Sequence, residues 1–212
     1  MAANECFLDS ATLRENVVAL ARNIGYVLRS KKSSTIRINF SVEPGISPPP
    51  TTITLKKGPV VSSNQFGGQS FVFGLTKDVT KTVVDGVARF NDLDVKEGTV
   101  IDQKFPYSTN NINQRFILSN AGIDLSTLEV YVRPSATSSL LSSYTRQDSL
   151  FDAVTGSSIT KDSLIYYIQE IEDEQYELIF GDGIFGKELS DGNIVEVSYI
   201  LTNGSDANGI SN

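Results

Sequence analysis

The chain has 212 residues, 40% of them hydrophobic, which is enough to bury a sizeable core in one large domain or two small ones. It has no His, one Cys and no Trp, so an internal disulfide is excluded, a zinc site loses its usual ligands, and any enzyme would lack the commonest general base. The net charge of −7 disfavours nucleic acid as a partner, and no apolar run is long enough to span a membrane.

That charge is unevenly spread. Residues 1–60 hold eight Lys/Arg against four acids, whereas residues 161–212 hold two Lys against eleven acids. Opposed ends of this kind suit head-to-tail contact between copies, or solvated faces that simply differ. The start, MAANECFLDSATLREN, lacks the basic and then apolar order of a secretory signal.

Thr12-Leu13-Arg14-Glu15 fits a capping box, and Leu13, Val17, Leu20 and Ile24 recur at helical spacing up to Gly25, placed as a C-terminal cap. The pattern predicts a lead-in helix over residues 1–29. Its apolar stripe is a core contact or, on a β-rich body, a partner interface.

From residue 33 the period changes to two. Ile36, Ile38, Phe40 and Val42 alternate with Arg37, Asn39 and Ser41 as in a half-buried strand. Pro44-Gly45 and Pro48-Pro49-Pro50 break it. Shorter strands are predicted at 52–55, 60–62, 70–75 and 87–90, the last preceded by Asp85-Gly86, a two-residue hairpin signal. This first β region is set at 33–105.

A polar stretch around Ser108-Thr109-Asn110-Asn111 marks a boundary, and a second β region is set at 110–205. Leu128, Val130 and Val132 alternate up to Pro134, and 135–143 reads as a Ser/Thr-rich loop. Residues 164–171 and 176–180 predict a hairpin whose tip crowds Glu170, Glu172, Asp173, Glu174 and Glu177. The spacing fits no calcium loop, so the acids are read as solvation, with neither a metal site nor a catalytic carboxylate pair assigned.

Phe180, Gly181, Asp182, Gly183 and Gly186 then open a loop rich in Gly and Asp before a strand at 194–201. Gly181 to Gly186 matches G-x-G-x-x-G, but a dinucleotide site needs a helix next. Ser190 and Asp191-Gly192 leave no room for one. A kinase-type loop needs a Lys on the following strand, and none occurs there. The reading is a structural hairpin loop whose glycines supply positive φ. No P-loop or nucleophile elbow occurs elsewhere, so no enzyme, cofactor or small-molecule substrate is expected.

The run FGDGIFGKELSDGNIVEVSYILTNGSDANG, residues 180–209, resembles the strand, loop, strand hallmark of the J-like baseplate wedge proteins of contractile-tailed, T-even type bacteriophages. Leu13-Arg14, Val17-Val18, Gly25-Tyr26 and Ser30-Lys31 are similar to that family's helix before its first strand, and residues 53–60 to its second β element. The resemblance implies a structural virion protein of the tail baseplate, assembled in the host cytoplasm with other wedge proteins and with copies of itself. Family members are longer, so the resemblance also implies a piece, with 206–212 as a tail leading to a further domain. The stripe Leu13, Val17, Leu20 and Ile24 would then be a face that upstream helices cover. The expected fold is mainly β (α+β), antiparallel sheet regions with one N-terminal helix. A carbohydrate- or receptor-binding β module of a tail fibre or adhesin is the alternative; against it, Trp is absent and several Tyr and Phe fall at alternating, inward positions.

Overall fold

The computed structural model describes residues 10–12, 16–17, 20, 30–65, 68–148, 158–171 and 174–208. These form a mainly β protein with thirteen strands and a short 3-10 helix at Gly204–Ala207. No complete α-helix lies among them. Asn16, Val17 and Leu20 are helical, while Leu13, Ile24 and the rest of the expected lead-in helix lie outside the described residues, so that helix remains an expectation.

Six strands make the first sheet: β1 (Thr35–Val42), β2 (Thr52–Leu55), β3 (Gly58–Ser62), β4 (Val72–Leu75), β5 (Val79–Val84) and β6 (Val87–Glu97). Their order is β2-β5-β6-β4-β3, with β1 also paired to β6. β6 is the spine. It is 11 residues long, and its length lets it pair with β1 along one edge while β5 and β4 divide the other. The Asp85-Gly86 signal does form the β5–β6 turn, with φ of 53° and 77° at the two positions, as a primed two-residue turn requires.

The second sheet has seven strands: β7 (Thr99–Pro106), β8 (Phe116–Leu118), β9 (Ile123–Arg133), β10 (Ser142–Arg146), β11 (Ile165–Glu170), β12 (Tyr176–Phe180) and β13 (Ile194–Leu201). Their order is β7-β13-β9-β10-β11-β12-β8. The registers of the first sheet are antiparallel, but β10 runs parallel to β11. The antiparallel expectation therefore holds for most pairs and fails at that one, where the long connection between Arg146 and Ile165 permits a parallel partner that a tight turn would forbid.

The chain divides into two compact units. The first comprises Met1–Ser30, Asp102–Ala121 and Glu129–Ser198; the second comprises Lys31–Ile101, Gly122–Leu128 and Tyr199–Asn212. Strands β7, β9 and β13 contribute residues to both. Seventeen acids and nine Lys/Arg fall in the first unit, giving −8, and eight acids and nine Lys/Arg in the second, giving +1. All the net negative charge thus belongs to the first unit.

The core of the second unit is Phe71, Phe73, Leu75, Ala88, Phe90, Leu93, Val95 and Ala207. Phe90 is fully buried and stacks on Phe40 with ring centroids 5.1 Å apart. Two buried acids tie the unit's separate segments together. Glu97 accepts from the Thr202 hydroxyl at 2.5 Å and from Asn203 Nδ2 at 2.8 Å. Asp124 accepts from the Ser33 backbone at 2.9 Å and from the Ser126 hydroxyl at 2.6 Å. Burial opposes ionisation of Asp124, but these bonds outweigh it and hold its pKa below the usual carboxylate value.

Candidate interaction surfaces

In the first unit, β12 delivers the chain into the loop 181–193. Phe180, its last residue, packs edge-on to Phe116 and Tyr144, with centroids 5.2 and 5.6 Å away. The chain then folds back so closely that a Cβ on Gly181 would stand 2.1 Å from the carbonyl carbon of Gly186. Only glycine fits there. Gly183 and Gly186 take φ of 81° and 96°, and the Gly183 N–H donates to the Gly186 carbonyl at 3.1 Å.

Asp182 holds the tip. Its Oδ1 accepts from the backbone N–H groups of Ile184 at 2.9 Å and Phe185 at 2.8 Å, an Asx-type turn. Those two bonds, from Phe185 first, hold its carboxyl below the usual range. The base of the loop is fastened as well: the Gly186 N–H donates to Thr160 O and the Lys187 N–H to Ser163 O. Further on, Asp191 accepts from the Thr109 N–H at 2.9 Å and Asn193 Nδ2 donates to Pro134 O at 3.1 Å.

One expectation is corrected here. The loop is not a hairpin, because β12 and β13 are separated in the sheet by β11, β10 and β9. It is a crossover connection. Local turn signals are the same for both, and only long-range pairing separates them. No helix follows Gly186: residues 187–193 are irregular, with a turn at Asp191-Gly192, before β13 begins.

Between the two glycine positions the loop presents Ile184 and Phe185, 67% and 46% exposed. Sequence reasoning passed over this pair, although two adjacent large apolar residues inside a polar, turn-rich loop were a usable signal. The acidic tip is likewise more specific than a solvated turn. Glu177 is buried, accepting Arg115 at 2.8 and 2.7 Å and Gln169 Nε2 at 2.8 Å. Glu170 ends β11 in register with Tyr176, Glu174 is exposed with φ of 56°, and Glu172 and Asp173 lie outside the described residues. Of the apolar stripe, Val17 and Leu20 are helical and half-buried.

The second unit carries a groove of about 600 Å³, lined by Ile38, Phe40, Leu55, Pro59, Val60 and Val61, with Asn39, Lys56 and Lys57 at its polar margin. Its side chains are the outer part of an unclosed core: Ile38, Phe40, Leu55 and Val60 pack on the buried cluster but stay only half-buried. Among the described strands, β1 pairs only with β6 and β3 only with β4, so each is a sheet edge. Pro59 and a bulge at Val60 disrupt the β3 edge against strand addition, while the bulge opposite Asn39 of β1 lies in β6, at Asn91 and Asp92. On its β3 side the groove is therefore better suited to side chains than to an added strand. Lys56 pairs with Asp78 at 2.7 Å.

No protein-family model matches the chain. The chain is similar to the baseplate wedge protein gp6 of Enterobacteria phage T4, 24% identical over 225 residues and covering 98% of this chain. It spans about a third, 32%, of that relative's length.

Proposed function

We propose that this chain is a structural, non-enzymatic building block of a bacteriophage tail baseplate, of the J-like wedge type in a contractile tail. Its partners are other wedge proteins and copies of itself, and its place is the virion, assembled in the host cytoplasm. The observation that carries the reading is the similarity to a baseplate wedge protein along nearly the whole chain. The chain's form suits the role. The loop after β12 is fastened by glycine contacts and a side-chain cap, and it presents two large exposed apolar residues, while the second unit carries an apolar groove. Rigid sheet modules that meet through small, separate surfaces can form a ring and later remake its contacts when a sheath contracts.

In this reading Leu13, Val17, Leu20 and Ile24 form a helical partner interface, and the β regions at 33–105 and 110–205 are the assembled body. The experiment is immunogold electron microscopy of contractile-tailed particles with an antibody to this chain. Label confined to the baseplate is the expected result. Label on fibre tips would replace the reading with receptor binding, and particles without label would remove it.

A further inference from the structure

We propose that the Ile184–Phe185 tip of one copy of this chain seats in the Ile38/Phe40/Leu55/Val60 groove of a second copy, joining copies head to tail. The inference rests on the assembly reading above and names the surfaces through which copies meet.

The tip has the character of an interface anchor. Two large apolar side chains stand exposed on a loop whose backbone is already fixed, by Asp182 at the tip and by Thr160 and Ser163 at the base. A preorganised loop loses little freedom on docking, which is where binding energy is otherwise spent. Aromatic and aliphatic side chains entering a desolvated pocket are the usual centres of such contacts. The groove supplies the other half. It is apolar along its floor, its lining is half-buried and unclosed, and its ~600 Å³ lies within the roughly 300–1,000 Å³ common for ligand pockets.

Charge decides between a second copy's groove and a second copy's tip. Two tips meeting would bring together two units of −8 each, with Asp182, Glu188 and Asp191 against the one Lys187 in each loop. A tip meeting a groove brings the −8 unit to the +1 unit, with Lys57 in the groove's lining beside Lys56 and its partner Asp78. Like-charge juxtaposition is costly at short range and is avoided in the second arrangement. Because tip and groove are different patches, the contact is heterologous. It propagates from copy to copy and closes into a ring when the rotation allows.

The test uses two single-cysteine chains, both in a Cys6→Ser background, one with Phe185→Cys and one with Val61→Cys. Val61 lines the groove and is 37% exposed, so both substitutions fall on accessible positions. Mixed in equal amounts and oxidised, they are expected to give mainly the mixed disulfide dimer. Its yield should exceed at least fivefold that of a control mixture in which Ile112→Cys, at an exposed loop position, replaces Phe185→Cys. In parallel, sedimentation velocity should show the unmodified chain self-associating with rising concentration. The double variant Ile184→Ser/Phe185→Ser, checked for unchanged far-ultraviolet circular dichroism, should weaken that association tenfold or more.

A predominance of Phe185→Cys homodimers, a mixed dimer no more abundant than the control, or association indifferent to the Ser variant would each overturn the contact. So would a chain that stays monomeric throughout. None of these would remove baseplate labelling, so the two readings can fail separately.

Discussion

Arg115 and Glu177 are joined by two parallel hydrogen bonds, Nε to Oε1 at 2.8 Å and Nη2 to Oε2 at 2.7 Å, beside the pairing of β8 with β12. Arg115 is half-exposed while Glu177 is buried, so the carboxylate depends on its partners for the solvation it has lost. Arg115, and after it Gln169, holds the Glu177 carboxyl below its usual range in spite of burial. Replacing Glu177 by Ala removes the acceptor of three bonds and should destabilise the chain by about 1–3 kcal/mol, read from chemical denaturation. Arg115→Ala should lower the thermal midpoint too, because it strands a buried charge.

Acid should unfold the protein, and the sign follows from the carboxylates. Glu177, Glu196, Asp124, Asp182 and Asp191 all have depressed values in the folded state. A depressed carboxylate contributes stability that is complete above its unfolded value, about 4, and is lost as pH falls through the folded value. The thermal midpoint is expected to be level through the neutral range and to fall steadily below about pH 5. A midpoint that rose on acidification would contradict the assigned partners.

At Asp182 two substitutions separate charge from geometry. Asn retains an oxygen that accepts the Ile184 and Phe185 N–H groups, whereas Ala retains none. Amide exchange at Ile184 and Phe185 should therefore quicken markedly in Asp182→Ala and little in Asp182→Asn. Equal exchange in both would mean that the glycine contacts alone fix the tip.

Two glycines should respond differently to alanine. At Gly181 the added Cβ meets backbone at 2.1 Å, so the loop must move, at a cost of about 1–3 kcal/mol for overpacking. At Gly192 the space is open and only the φ of 80° resists, which costs about 1–2 kcal/mol. Thermal unfolding should rank Gly181→Ala below Gly192→Ala.

Truncating Phe90 to Ala removes a fully buried ring that stacks on Phe40 and should cost about 3–5 kcal/mol. A smaller loss in equilibrium unfolding would mean that the half-buried residues around the groove collapse into the cavity.

Much of this fold can be read directly from the chain. The alternation of Ile36, Ile38, Phe40 and Val42 is the alternation of β1, and Asp85-Gly86 is the turn before β6. What escapes reading is held from outside. β5, VTKTVV, and β10, SSYTR, have no apolar alternation of their own and are strands because neighbours supply their hydrogen bonds. The glycine loop was legible as architecture, since its positive φ values are local. Its role as a crossover was not, since the partners of β12 and β13 are distant in sequence. The groove left no local trace either, being a gap between β1, β2 and β3 rather than a property of any one of them.

The place of β13 has a consequence for synthesis. Among the described strands it is made last, and it lies between β7 and β9. Until the ribosome has passed Leu201, β7 has no partner in this sheet and β9, paired with β10, has one edge open. A nascent chain stalled before Ile194 therefore offers two templates for pairing with its neighbours on the polysome. Its yield should depend on translation speed and temperature more than its final stability suggests.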